Sequence, residues 1–251
     1  MNDTLIAQIG ALVKECGAIL LTADRAKMQI DEKGGSANFV TEYDKKAQDF
    51  LFAGLSEILP EAHFIGEEGE QDRSIPDGFC FIVDPIDGTT NFIKDYHMSS
   101  ISVGLLKDGK AYLGVIYNPY LDELYWAKRG EGAFCNGEPI RVSSRPLSQG
   151  IVLFGTAPYN KDTLAEDTFR MMYEYYMKSL DIRRSGSAAL DFCAVAAGRA
   201  ELFFELILSP WDFAAGALIV EEAGGIVTTL DGKPLRYDDK ISILARNAAI
   251  G

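Results

Sequence analysis

The chain has 251 residues, 47% hydrophobic and 24% charged, the proportions of a folded globular protein long enough to bury a sizeable core. Its 24 basic and 37 acidic residues leave a formal charge of −13. That charge speaks against nucleic acid or an anionic membrane as main partner, but not against a small anionic substrate held through metal cations.

Leu5, Ile6, Ile9, Leu12, Val13, Cys16, Ile19 and Leu20 recur at helical spacing and predict an amphipathic first helix with Asp3 as its cap. The polar stretch Asp31 to Asn38 reads as a mobile loop or hairpin. Thr41-x-x-Asp44 resembles a capping box opening a second helix, whose face is Ala47, Phe50, Leu51, Leu55, Ile58 and Leu59 and which Pro60 stops. Short strands follow at His63 to Ile65, ending at Gly66-Glu67-Glu68, and at Phe79 to Val83, ending at Asp84, where Pro85 is expected to turn the chain abruptly out of the sheet. Residues 99–106, 111–117 and 123–127 form an antiparallel meander, with a short strand near Ile140 to Val142. Ser143 to Gly150 is a candidate linker. Beyond it come a strand at Ile151 to Phe154, helices at 161–179, 187–198 and 212–224, a strand at 200–205, and closing strands near 226–228 and 241–244. The fold class is α/β: an α+β first half (1–145) and an α/β second half (146–251) of one compact unit.

The cysteines Cys16, Cys80, Cys135 and Cys193 have neither CxxC spacing nor a histidine cluster, so free thiols in a reducing compartment are expected. MNDTLIAQIG lacks the basic start of a secretory signal, and apolar stretches such as Phe213 to Val220 fall far short of the ~20 residues of a membrane span. We therefore expect a cytoplasmic protein with no membrane partner. Phosphate loops of the GxxxxGK[ST] type, GxSxG elbows and HExxH pairs are absent from the sequence. Gly130-Glu-Gly132 begins a dinucleotide-like run, but Cys135 replaces its third glycine.

The acidic residues carry the signal. Asp84 and Asp87 of Asp84-Pro-Ile-Asp-Gly-Thr-Thr-Asn-Phe92 can project from one strand end, with the Gly88 and Thr89 amides as anion donors. Glu67 can lie alongside, and Asp212 of Trp211-Asp212 can add a fourth carboxylate. Such a crowd needs counter-charge, which hard divalent cations supply between carboxylate and substrate phosphate. Spacing alone leaves plainer readings open: Asp44 as a cap, Asp212 as a helix-start charge, Asp87-Gly88 as a turn, Glu67-Glu68 as a solvated pair, Arg183-Arg184 as surface.

GEE at 66–68, DPIDGTTNF at 84–92 and WD at 211–212 together resemble the inositol monophosphatase family, within the lithium-sensitive, Mg²⁺-dependent phosphatases. The resemblance extends through Lys33, Thr41, Asp44, Gly186-Ser-Ala188 and Glu205. It implies a layered α/β/α/β/α sandwich, a homodimer, and two or three Mg²⁺ ions per site. Glu67, Asp84 and the Ile86 carbonyl would hold the first ion, Asp84, Asp87 and Asp212 the second, and Glu67 with waters a third. Thr89, oriented by Asp44, would bind the attacking water. The Gly88 and Thr89 amides would bind phosphate, and Asp87, Gly186, Ala188, Glu205 and Asp212 would face the substrate. The Lys33 loop would close over the metals. The first half would thus bind metal and phosphate and the second face the substrate.

The implied activity is hydrolysis of a small polyol phosphate, inositol 1-phosphate first. Relatives act on fructose 1,6-bisphosphate, 3′-phosphoadenosine 5′-phosphate, NADP or histidinol phosphate. Thr90-Asn91-Phe92 favours the inositol branch, and Glu205 favours an uncharged polyol over a second phosphate. Arg183 and Arg184 favour a bisphosphate instead. Because some bacterial relatives act through protein partners in RNA metabolism, a protein-binding module with weak phosphatase activity is the alternative of a different class.

Overall fold

Hydrophobic spacing dictates the first helix pair. In the computed structural model, which describes residues 2–33, 39–69 and 74–250, α1 (Asn2–Leu21) buries Ile9, Val13, Cys16 and Leu20. It packs on α2 (Glu42–Ile58), which buries Ala47, Leu51 and Leu55. The helix starts at Asn2, so Asp3 lies inside it rather than capping it. The stretch Thr4–Leu21 has a mean hydropathy of 1.6 and is long and apolar enough to cross a membrane, which the sequence reading did not anticipate. Its buried face belongs to a core shared with α2 and the adjoining sheet. Thr41 forms the expected box: its hydroxyl accepts from the Tyr43 and Asp44 amides, and Asp44 Oδ2 accepts from the Thr41 amide at 2.7 Å. Between the helices, β1 (Ile30–Glu32) and β2 (Phe39–Thr41) pair antiparallel. The expected mobile loop falls largely on residues 34–38, outside the described residues.

Seven strands follow in sheet order: β3 (His63–Gly66), β4 (Phe79–Asp87), β5 (Ser100–Lys107), β6 (Lys110–Asn118), β7 (Glu123–Lys128), β8 (Gly132–Cys135) and β9 (Glu138–Ile140). β3 is parallel to β4 and the other pairs are antiparallel. Two expectations need correction. Pro85 does not eject the chain: β4 runs on to Asp87, absorbing Pro85 and Ile86 in a register shift against β5 between Asp84 and Asp87. Proline is tolerated there because a bulge needs no ladder donor at that position. The short strand expected near 140–142 lies two residues earlier, at Glu138–Ile140, and follows the tight turn that Asn136-Gly137, both at positive φ, signals in the sequence. The glycine run at 130–132 turns β7 into β8 and opens no helix.

α3 (Thr89–Ile93) is a single short turn after β4. Residues 143–150, with a 3-10 turn at Leu147–Gln149, lead from the first sheet to a second. That sheet has the order β11 (Asp181–Arg183), β10 (Ile151–Phe154), β12 (Leu202–Leu208), β14 (Ile241–Arg246) and β13 (Ile226–Thr228). The remaining helices are α4 (Lys161–Tyr176), α5 (Ala188–Ala196) and α6 (Pro210–Glu222). α1 and α2 cover one face of the first sheet, and α5 and α6 fill the space between the sheets. α4 contacts β10, β11 and β12, which completes the α/β/α/β/α sandwich. α6 is apolar on nearly every side, as a helix between two sheets must be. It approaches the first sheet at Gly104 and Gly114, where a Cβ on Gly114 would stand 2.6 Å from the Ala215 carbonyl oxygen.

Candidate active site

The end of β4, the turn into α3, and the N-termini of α5 and α6 meet at one cavity of about 320 Å³. Glu67, Asp84, Ile86, Asp87, Gly88, Thr89, Gly186, Ala188, Glu205, Asp212 and Lys33 all line it. Asp44 stands directly behind, where its Oδ1 accepts the Thr89 hydroxyl at 3.2 Å. Every site residue expected from the sequence is thus gathered in one place.

The bulge in β4 is what brings its acids together. Asp84 Oδ1 accepts the Ile86 amide at 3.0 Å, folding the strand back on its own side chain. Carboxylate oxygens of Asp84, Asp87 and Asp212 lie within 4.8 Å of one another. Asp212 is the third residue of α6 and closes a capping box, with Oδ2 accepting the Ser209 amide at 2.7 Å. Asp87 reaches across to α5, accepting the Ser187 hydroxyl and the Ala188 and Ala189 amides at 3.2 and 2.9 Å. Glu67 follows β3, its amide on the Val83 carbonyl at 3.1 Å, and its Oε1 meets Lys33 Nζ at 2.9 Å. The Glu68 carboxylate meets the same Lys33 ammonium, and the Glu68 backbone amide donates to Gln48 Oε1 at 2.9 Å.

Electrostatics mark the cluster as incomplete in itself. Burial, then repulsion from Glu67, Asp87 and Asp212, holds the Asp84 carboxyl well above the usual range. Burial and the neighbouring acids do the same for Asp212. Asp87 is pushed up to about 6 by burial, although Ser187 and the α5 amides favour its charged form. Asp44 rises to about 6 for the same reason, against the pull of Thr41. Burial disfavours the charged form of Lys33, but Glu67 and Glu68 more than offset it and keep the ammonium charged. The donor set is all hard oxygen, which fits a divalent cation of the Mg²⁺ type rather than a soft metal.

The other wall belongs to the second half of the chain. Glu205 of β12 is buried, accepts the Ala157 amide at 3.0 Å, and is pushed by burial to about 7. Gly155 passes so close that a Cβ there would lie 1.9 Å from Glu205 Oε2. Of the paired arginines, Arg184 lines the cavity, with Nε donating to Thr156 Oγ1 at 3.1 Å. Arg183 lies on the surface, bound to Asp181. Tyr159, Lys240 and Asp191 also line the cavity and were missed from sequence. Asp191 had one weak signal, an acid inside the otherwise apolar Ala188–Ala196. The two histidines stay outside: His97 stacks on Tyr120 and bonds Asp95, and His63 is exposed.

Residues 1–250 match the model of the inositol monophosphatase family. The chain belongs to that family. It is 41% identical over 219 residues to inositol monophosphatase 3 of Solanum lycopersicum, covering 85% of this chain and 81% of that one. It is 39% identical over 233 residues to the Nus factor SuhB of Vibrio cholerae, covering 92% and 87%. Among solved structures, the Thermotoga maritima inositol monophosphatase superposes with a TM-score of 0.87 at 33% identity, covering 98% of this chain and 93% of the other. The layered sandwich is therefore the fold of the inositol monophosphatase family, and the carboxylate-lined cavity sits within it.

Proposed function

We propose that the protein is a Mg²⁺-dependent phosphomonoesterase acting on a small polyol phosphate, with inositol 1-phosphate as its first candidate. The observation that carries this reading is the convergence of three carboxylates within 4.8 Å, lining one polar cavity beside a Thr89–Asp44 pair. Glu67, Asp84 and the Ile86 carbonyl would hold one cation, Asp84, Asp87 and Asp212 a second, and Glu67 a third. When bound, such cations supply Lewis-acid activation of water and charge stabilisation of the phosphoryl group and leaving oxygen.

The chain's own groups do the rest. Asp44 Oδ1 accepts the Thr89 proton, which leaves a Thr89 lone pair to accept from the attacking water and aim it. The Thr89 hydroxyl also lies 3.2 Å from the Ile86 carbonyl, so that oxygen is presented towards the same space. The Gly88 and Thr89 amides, at the start of α3, serve the phosphate. Gly186, Ala188 and Glu205 face the alcohol, where a carboxylate accepts hydroxyl hydrogen bonds and repels a second phosphate.

Phosphate release from inositol 1-phosphate, with Mg²⁺ and then with EDTA, tests this reading. Metal-dependent turnover supports it, and the absence of turnover on any small phosphomonoester overturns it. The second reading, a protein-binding module, is favoured by the similarity to a Nus factor. It predicts salt-resistant co-purification with transcription components that persists in an inactive Asp87→Asn variant. Four free cysteines support a reducing, cytoplasmic setting. Exposed Phe169, Tyr173, Tyr176 and Met177 along α4 and just past it support a homodimer, read as a solution mass of about twice 27.5 kDa.

A further inference from the structure

Residues 155–160, between β10 and α4, bring to the cavity a side chain that no step above uses. This segment is wrapped around Glu205. The Gly155 amide donates to the Phe204 carbonyl at 3.0 Å, one residue before Glu205 in β12. Without a Cβ, Gly155 leaves room for the Glu205 carboxylate, and the Ala157 amide donates to Glu205 Oε1 at 3.0 Å. Ala157 makes that bond from the left-handed region, at φ +38° and ψ +64°, immediately before Pro158. A residue with a Cβ is strained there. The bond to Glu205 holds it, together with the Asn160 amide, which donates to the Ala157 carbonyl at 2.7 Å.

What the strained turn delivers is Tyr159. The residue lines the cavity half-buried, and Lys240 sets its ammonium over the ring, 5.6 Å from the centroid. Among the described residues, the Tyr159 hydroxyl has no hydrogen-bond partner. None of their buried side-chain polar atoms is left unpaired, so this hydroxyl is not sealed in the core but opens on the cavity that the residue lines. Burial and the charges of Asp212 and Glu205 raise the phenol well above its usual range, so it stays protonated and able to donate. Phenol and carboxylate therefore offer opposite halves of a hydrogen bond: Glu205 accepts from a substrate hydroxyl, and Tyr159 donates to one. A ring carrying several hydroxyls satisfies both. An alcohol without them leaves both unpaired.

We infer that Tyr159 is a substrate-contacting, specificity-determining residue, which donates its hydroxyl to one hydroxyl of a polyol phosphate while Glu205 accepts from another. This rests on the phosphatase reading above. It follows that the Tyr159 hydroxyl discriminates between alcohols and leaves the metal-binding carboxylates unaffected.

The test compares inositol 1-phosphate with cyclohexyl phosphate, which has the same six-membered ring and no hydroxyl, at saturating Mg²⁺. Wild type is scored first and should favour inositol 1-phosphate in kcat/KM. Release of phosphate from neither would remove the phosphatase reading and the inference with it, whereas turnover without that preference would overturn the inference alone. Tyr159→Phe keeps the ring under Lys240 and removes only the hydroxyl. It should lower kcat/KM about tenfold on inositol 1-phosphate and less than about twofold on cyclohexyl phosphate. Where cyclohexyl phosphate turns over too slowly, its inhibition constant takes the place of kcat/KM. The Mg²⁺ concentration for half-maximal rate should match wild type. An equal fall on both substrates would make Tyr159 a structural part of its turn and overturn the inference, as would wild-type selectivity in Tyr159→Phe.

Discussion

At the level of single residues, the proposed site is built from side chains that also hold the fold. Asp44 closes the capping box of α2 with Oδ2 and accepts the Thr89 hydroxyl hydrogen bond with Oδ1. Asp212 caps α6 and completes the carboxylate triad. The plainer sequence readings of these two acids were therefore correct and incomplete, because a capping motif does not reveal what the second oxygen faces. Removing a ligand charge should be far more damaging to turnover than to folding. Asp87→Asn or Asp212→Asn should lower kcat by more than about 100-fold, beyond the 10–100-fold typical of an outer-shell partner, with circular dichroism unchanged. Near-wild-type turnover in both would remove these carboxylates from the chemistry. Asp44→Asn, one contact further out, should cost about 10–100-fold in kcat, and Thr89→Ser should retain more activity than Thr89→Val. Equal activity in the two Thr89 variants would show that the hydroxyl is not used.

Elements position those residues through backbone features that a sequence shows only in part. The DPIDG run announced acids at a strand end, but not that β4 continues through Pro85 and folds Asp84 onto the Ile86 amide. Pairing with β5 decides that, and local propensity carries no information about a partner strand 13 or more residues away. The long helices were legible because α1 and α2 keep one apolar stripe. The ends of α4 and α6 were not, because α6 is buried all round and gives no period to read. Gly88 is a sharper case: its φ is +88°, and a Cβ would lie 2.9 Å from the Met98 carbonyl and 3.1 Å from that of Gly186. Gly88→Ala should therefore destabilise by about 1–3 kcal/mol and depress activity more than stability, since it separates Asp87 from Thr89. A melting temperature and kcat both equal to wild type would contradict that. Gly114→Ala, under α6 and remote from the cavity, should lower the melting temperature by roughly 2–10 °C and spare KM.

The whole molecule uses two sheets and the α5–α6 layer between them to press acids from both halves of the chain into one cavity. The passage from the first sheet, which ends at Ile140, to the second, which begins at Ile151, was visible as a change of pattern. The contribution of Asp191, Tyr159 and Lys240 to the same cavity was not, since each is far in sequence from the acidic motifs. Collecting carboxylates against their repulsion has a consequence in pH. Asp87 titrates near 6 in the folded chain, with Asp84 and Asp212 also raised, against about 4 when unfolded. Between those values the folded state binds more protons than the unfolded one, so this contribution makes metal-free stability fall as pH rises. Cation binding must displace those protons, so it strengthens over the same range. The melting-temperature gain from Mg²⁺ over EDTA should accordingly be larger at pH 7.5 than at pH 5. An equal gain at both would mean the cation binds elsewhere.

The most direct test is phosphate release at saturating Mg²⁺ from inositol 1-phosphate, fructose 1,6-bisphosphate, 3′-phosphoadenosine 5′-phosphate, NADP and histidinol phosphate, each repeated with EDTA and with Li⁺. Metal-dependent, Li⁺-inhibited turnover led by inositol 1-phosphate is the expected result. A folded, Mg²⁺-binding protein that releases phosphate from none of the five would contradict the assignment of this cavity to phosphoester hydrolysis.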